Sequence, residues 1–264
     1  MNAFQAMVLG LVQGLTEFIP VSSSGHLVLA HHALGVFDTG LPFDVALHAG
    51  TLLALLVFFY KDLWELLLGL FGKNDKQKLA WLLIMATVPA VIAGVLLESA
   101  AESKFRSVRL VSINLFVVAF IMLWAERYAA KRSRKASINN LSQTQVLTMG
   151  VAQAAAVVPG VSRSGITITA GLFSGVDRIA ATRFSFLLAI PITAGAILKV
   201  LVIDHGLAQA HQTNIIAIGV VTAFLSGLWA IKFLLNYLSK HSLAAFAYYR
   251  IAIAVIAISL VTFK

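Results

Sequence analysis

The chain has no cysteine, and charged residues make up only 12% of its 264 positions, about half the share usual in a soluble domain. The first absence excludes a disulfide framework, a thiolate metal site and a cysteine nucleophile, and leaves the compartment unread. The second excludes a water-soluble core, because 59% hydrophobic residues and a mean hydropathy of +0.90 leave too little polar surface to cover one. There is no P-loop, no dinucleotide fingerprint and no HExxH helix, so neither soluble nucleotide chemistry nor a zinc protease is supported. The net charge of +9 is not a nucleic-acid footprint. Its lysines and arginines sit mostly in short loops, with no basic stripe interleaved with aromatics, and the positive-inside bias accounts for them.

What is present is a series of apolar runs. Three in the first half cover 41–60, 79–97 and 108–125, and three in the second cover 181–203, 215–238 and 243–263. Each is about long enough to cross a bilayer as helix. Ahead of each trio lie shorter pieces, 4–18 with 26–35 and 145–158 with 166–175, separated by Pro, Gly and Ser. At about 1.5 Å per residue they reach only ~15 to 22 Å of a core ~30 Å thick, so they read as re-entrant helix pairs. Residues 1–18 lack a basic leader and a small-x-small cleavage site, so a removable signal peptide is not expected.

The segments 61–78, with Lys61, Lys73, Lys76 and Lys78, and 127–144, with Arg127, Lys131, Arg132, Arg134 and Lys135, are assigned to the cytoplasm. Residues 204–213 hold no lysine or arginine and are assigned outside. Lys104, Arg106 and Arg109 dissent from this bookkeeping, offset in part by Glu98 and Glu102.

A shift of 140 residues lays GLVQ at 10–13 on GVAQ at 150–153 and VSSSG at 21–25 on VSRSG at 161–165, with 6 of the 16 positions across 10–25 identical. Three crossings per half is odd, so the second copy enters from the opposite side, as in inverted-repeat proteins that place binding groups near the midplane. The expected architecture is an all-α polytopic membrane protein, one integral domain over 1–264. Its inverted-topology repeat has a re-entrant helix pair plus three transmembrane helices in each half. Repeat 1 covers about 1–126 and repeat 2 about 145–264, joined by the basic cytoplasmic loop 127–144, with both termini outside.

A break inside the membrane frees backbone N–H groups that protein, water or ligand must satisfy. Here the donors are those N–H groups, helix N-termini and the hydroxyls of Ser22, Ser23, Ser24, Ser162, Ser164 and Thr167, a set suited to phosphate oxygens. Arg163 adds a fixed charge and a bidentate fork. Gln13 and Glu17 share a helical face, and an ionisable group at that depth is a functional candidate. His26 closes the first break, where an imidazole can act as nucleophile, acid or base. The plainer alternatives stay open. Glu17 and Arg163 can form a structural ion pair, and each serine can serve only as a helix cap. Asp44 and His48, four apart, either line the cavity or satisfy one another. His31, His32, His205 and His211 look interfacial and receive no role.

The stretches QGLTEFIPVSSSGH at 13–26 and PGVSRSGIT at 159–167, with FSFLLAIP at 184–191, resemble the undecaprenyl-diphosphatase family of the BacA/UppP type linked to bacitracin resistance. The resemblance spans both halves. It implies hydrolysis of a C55 isoprenoid diphosphate to the monophosphate plus phosphate, recycling the carrier lipid of peptidoglycan synthesis. It also implies a bacterial inner (cytoplasmic) membrane location, a site facing the periplasm or cell exterior, and a divalent cation, Mg²⁺ or Ca²⁺. Carried onto this sequence, Glu17, Ser23, His26 and Arg163 are the catalytic candidates and Glu17 the metal candidate. Gln13, Ser22, Ser24, Gly25, Ser162, Ser164 and Thr167 are the substrate-binding candidates. The expected partners are a polyprenyl diphosphate lipid and the membrane, with no nucleic acid, and a homodimer is one possible assembly. Gln13 stands where many relatives carry glutamate, so one carboxylate of the family's ExxxE motif is missing, and a mechanism or metal site that needs both is in doubt.

Two other readings compete. The acid-phosphatase type of lipid phosphatase shares SGH and SR motifs but needs a histidine six residues after the arginine, where this chain has Thr169. Its upstream lysine-to-Arg-Pro motif is also absent. A transporter or flippase fits the repeat architecture equally well, and differs in needing no nucleophile beside the phosphate.

Overall fold

The computed structural model describes residues 1–36, 40–72, 75–103, 107–133, 135–202 and 213–262. Within the bilayer every backbone polar group needs an internal partner, and a chain this apolar meets that demand with helices. Among the described residues there are eleven α-helices and no named strand. They are α1 (Ala3–Phe18), α2 (Ser23–Leu34), α3 (Gly40–Phe58), α4 (Tyr60–Leu70), α5 (Gln77–Ser103), α6 (Val108–Ala130), α7 (Gln143–Ala154), α8 (Arg163–Phe173), α9 (Arg178–Val202), α10 (Thr213–Leu238) and α11 (Ala244–Thr262). The protein is a multi-pass, all-α membrane protein. Its surface agrees, since Trp64, Trp81, Trp124, Trp229 and many Leu, Ile and Val side chains are exposed, as lipid-facing residues must be.

Helices α5, α6, α9 and α10 are long and apolar enough to span. The run at 41–60 is not one straight crossing. It breaks at Phe59, and α4 leaves α3 at 78°. Segment 61–78, expected as a loop, therefore contains a helix. Its signal is Leu63, Leu66, Leu67 and Leu70, an i, i+3, i+4, i+7 stripe that lies along α5 and is easily overlooked beside Lys61 and the lysines that follow. In α11 the apolar stretch is the shorter Ala244–Ser259. Lys73, Lys104, Arg106, Arg134, His205, His211 and the rest of 203–212 lie outside the described residues, as do the side chains of Glu98 and Glu102.

The two breaks share a geometry at the 140-residue offset. Helices α1 and α7 each start with a capping box, Asn2 with Gln5 and Ser142 with Gln145. The Gln5 amide donates to the Leu34 carbonyl at 3.3 Å and that of Gln145 to the Ser174 carbonyl at 3.0 Å, tying the start of each pair to its end. Helices α2 and α8 are capped by Ser22 and Ser162, the two non-glycine residues with positive φ among those described, at 77° and 75°. A left-handed serine costs about 1–3 kcal/mol and persists where its surroundings enforce it. Here each cap hydroxyl accepts from the glycine N–H three residues on, Gly25 at 3.3 Å and Gly165 at 3.1 Å.

Each first break helix packs on a long helix of the other half, α1 on α10 and α7 on α5. Glycine permits the approach. A Cβ on Gly14 would collide with Ser226 Oγ and the Ala223 carbonyl, and one on Gly150 with the Ala86 backbone. The main core runs through the centre, where Phe186 meets Phe18 and Phe59 edge-on at 5.5 and 6.2 Å.

Candidate active site

The two breaks meet around a cavity of about 270 Å³ lined by Glu17, Ser22, Ser23, Ser24, His48, Gln153, Ser162, Arg163 and Thr193, with apolar walls from α5 and α9. Glu17, on the last turn of α1, is its electrostatic centre and is 7% exposed. An isolated carboxylate at that depth is expensive, so the surroundings must supply charge and donors. Arg163 Nη2 donates to Oε1. On Oε2 converge Ser23 Oγ at 2.5 Å, Gln13 Nε2 at 3.0 Å and, at 3.6 Å, His48 Nε2.

Ser23 and Arg163 are the first residues of α2 and α8, and they occupy equivalent positions in VSSSG and VSRSG. The one inner position at which the two motifs differ thus sets a hydroxyl and a guanidinium on the two oxygens of one carboxylate. Arg163 is held from its far side by the Ala189 carbonyl at 3.1 Å and Thr193 Oγ1 at 2.5 Å. Three of its five N–H groups find partners among the described residues, which leaves two for a ligand.

Of the expected site residues, Glu17, Ser22, Ser23, Ser24, Ser162 and Arg163 line the cavity. Gln13 is fully buried behind Glu17, and its Oε1 has no partner among the described residues. The structure does not bring Gly25, Ser164, Thr167 or His26 into the lining. Gly25 is buried in its cap, and the Ser164 hydroxyl faces Ser162 Oγ and the Ile19 carbonyl at 3.4 and 3.5 Å. Thr167 has no exposure. Its hydroxyl donates to the Arg163 carbonyl and pairs with Ser185 Oγ at 2.6 Å, so it braces the start of α8 and does not reach the cavity.

His26 Nδ1 donates to the Ser22 carbonyl at 2.8 Å, and Nε2 accepts from the Tyr249 hydroxyl at 2.9 Å, the rings stacked at 5.6 Å. With Nδ1–H committed to the carbonyl, a neutral ring carries its lone pair on Nε2, toward the Tyr249 hydroxyl. The Asp44 and His48 pair separates. Asp44 binds His31 at 2.8 Å, which gives that histidine a structural partner, while His48 donates through Nδ1 to the Asp44 carbonyl at 2.8 Å and turns Nε2 to Glu17.

Three residues of the region carried no weight in the sequence. Gln153 is 2% exposed and lines the cavity, and neither amide atom has a partner among the described residues. The repeat marks it, since it is Gln13 shifted by 140. Thr193 follows the FSFLLAIP stretch and carried no signal of its own. Arg250 has no exposure at all and donates to the Pro20 carbonyl of the first break at 3.4 Å, to Gly160 and Val161 of the second at 2.8 and 3.2 Å, and to Leu115 and Asn114 of α6 at 3.2 and 3.4 Å. It clamps one break to the other. Its signal was plain, a charge in the middle of the 243–263 apolar run.

The family model described as bacitracin resistance protein BacA matches residues 6–256, a span that holds both breaks, the whole cavity and Arg250. The chain belongs to this family. Curated relatives agree over nearly the full length. An undecaprenyl-diphosphatase of Moorella thermoacetica is 45% identical over 98% of each chain. One of Thermodesulfovibrio yellowstonii is 41% identical over 99% of this chain and 98% of its own, and one of Thermomicrobium roseum 40% over 100% and 99%. The cavity thus sets one carboxylate and one guanidinium, paired with each other, at the meeting of the two breaks.

The donor set also bears on a divalent cation. Among the described residues no group of three or more His, Asp and Glu side chains forms a cage. Beside the serine and threonine hydroxyls, the lining carries the Glu17 carboxylate and the unpartnered Gln153 amide oxygen, and these two are the residues that could contribute to a cation shared with phosphate oxygens, as Mg²⁺ commonly is.

Proposed function

We propose that the protein is an undecaprenyl-diphosphate phosphatase, which releases phosphate from the C55 isoprenoid diphosphate and leaves the monophosphate for carrier-lipid recycling. The carrying observation is the Ser23–Glu17–Arg163 constellation at the meeting of the two breaks. Ser23 Oγ donates to Glu17 Oε2, which is the geometry of a nucleophile beside its base. The two free N–H groups of Arg163 and the hydroxyls of Ser22, Ser24 and Ser162 grip the terminal phosphate.

Ser23 Oγ then attacks the terminal phosphorus. The new O–P bond forms as the anhydride P–O bond breaks, the lipid monophosphate leaves with the bridging oxygen, and the Ser23 proton passes to Glu17. Neutral Glu17 loosens its hold on Arg163, and a further guanidinium N–H turns to the phosphoryl oxygens as their charge develops. Water next attacks the phosphoserine and the Ser23 O–P bond breaks; Ser23 Oγ takes back the proton held on Glu17, and phosphate leaves carrying the protons of the attacking water. A divalent cation held by Glu17, Gln153 and the diphosphate would offset the charge of the substrate oxygens. His26 fixes the Ser22 carbonyl and so orients the hydroxyl next in sequence.

The reading includes a bacterial inner-membrane location with the cavity facing outward. The basic segments precede the N-terminal ends of α5 and α7, whereas the cavity touches α5 at Gly94 and α9 at Ile197, toward their C-terminal ends. It also includes the two-repeat division at about 1–126 and 145–264, which the matching caps support, and a homodimer. The test is phosphate release from polyprenyl diphosphate in detergent, where transport has no sides to connect. Arg163→Ala and Ser23→Ala each lose at least about 10³-fold in kcat, in line with removal of a transition-state donor or a nucleophile. Chelator suppresses the wild type. A Ser23→Ala protein with normal turnover refutes the nucleophile, and wild-type turnover in excess chelator refutes the cation.

A further inference from the structure

A second hollow of about 540 Å³, twice the size of the polar cavity, lies between α4, α5 and α9. The polar cavity touches α5 at Ala90 and Gly94 and α9 from Ile192 to Ile197, and the hollow touches the same helices from Ala80 to Ile92, where the two linings interleave, and from Leu187 to Pro191, just before the cavity's residues. The two spaces therefore adjoin along the α5–α9 seam. The hollow is apolar throughout. Its one hydroxyl, that of Thr87, is spent on the Leu83 carbonyl at 2.8 Å. Each helix also carries a proline at the junction, Pro89 in α5 and Pro191 in α9, where the missing N–H and the ring weaken regular helix. The far wall is α4, which the 78° bend at Phe59 swings against α5.

We propose that this groove binds the proximal isoprenes of the substrate's polyprenyl chain, with the diphosphate in the polar cavity above it. This rests on the phosphatase reading. The chemistry is complementary on each side, donors and a guanidinium for the anion, and beside them an apolar groove for a hydrocarbon that must leave the cavity in some direction. The α5–α9 seam, walled by α4, offers that hydrocarbon an apolar surface beside the cavity. A chain seated there makes the enzyme sensitive to substrate length and holds the terminal phosphorus at a fixed depth.

The test uses full-length protein in detergent with C5, C15 and C55 prenyl diphosphates, reading phosphate release. Val91→Trp narrows the groove at its mouth and Leu67→Trp at the α4 wall. Both side chains are about half exposed, 49% and 46%, so the larger ring is accommodated without repacking the core. Expected for C55 is a KM raised about tenfold in each variant with kcat within about twofold, the pattern of lost uniform binding. For C15 only Val91→Trp raises KM, and for C5 neither does. An unchanged C55 KM in both variants, or the same rise for C5 as for C55, overturns the groove. If the wild type releases phosphate from none of the three, the phosphatase reading has failed instead. The groove is then judged by a C15 diphosphate with a photoreactive terminal isoprene, where labelling of α4 or α5 peptides supports it and labelling confined to other helices overturns it.

Discussion

Arg250→Ala tests whether one buried cation holds the site together. The wild-type guanidinium supplies the hydrogen-bond partners of three carbonyls in the breaks, those of Pro20, Gly160 and Val161. Each becomes a buried acceptor without a donor, at about 1–3 kcal/mol. Three such groups sum to ~3–9 kcal/mol, and the lower end applies because the neighbouring cavity is polar and water can enter. A loss of ~3 kcal/mol lowers the melting temperature of a chain this size by about 6–12 °C.

The functional loss is separate. Glu17 and Arg163 are carried by different breaks, and a misplacement of about 1 Å can cost 10²-fold in rate. Arg250→Lys keeps the charge but offers one compact ammonium to carbonyls on three segments, and is expected to fall between wild type and alanine in both measures. The assay is thermal denaturation in detergent followed by size-exclusion recovery, with phosphate release measured well below the lower melting point. An Arg250→Ala protein that melts within about 2 °C of wild type and turns over normally refutes the clamp, whatever else is true of the site.

Tyr249→Phe removes the donor to His26 Nε2 and is expected to lower turnover by roughly fivefold, the worth of one hydrogen bond of about 1 kcal/mol. His26→Ala, which also frees the Ser22 carbonyl, costs more, and equal losses in the two variants would contradict a positioning role. Gly150→Val places branched carbons against the Ala86 backbone and is expected to destabilise by at least about 2–3 kcal/mol, read as loss of monodisperse protein in detergent. The same change at Gly94, where an added Cβ meets nothing within 4 Å, is the tolerated control.

Much of the architecture was legible in the residues because the bilayer is a strict solvent. Apolar runs of the required length announce helices, and Pro, Gly and Ser inside them announce breaks. A shift of 140 residues lays one break on the other, and the structure gives their cap serines the same positive φ. A glutamate, an arginine and a run of serines at bilayer depth announce a site, since such groups survive there only with partners. By that same rule Arg250 was visible too.

Which partners those groups choose was decided by tertiary packing. The Glu17–Arg163 pair spans 146 residues, and no periodicity encodes a contact between two different breaks. Side-chain direction in an irregular segment follows from its backbone, so the positive φ at Ser22 and Ser162 sends Ser23 and Arg163 to one carboxylate. His26, Ser164 and Thr167, close by in sequence, turn elsewhere. His48 enters the cavity from a third helix because Asp44 is taken by His31. The bend at Phe59, unannounced by proline or glycine, swings α4 into place. Composition and pattern therefore determined that this is a membrane protein with two polar breaks. Only the fold determined that they share one carboxylate, because that depends on how the helices pack and on nothing local to either motif.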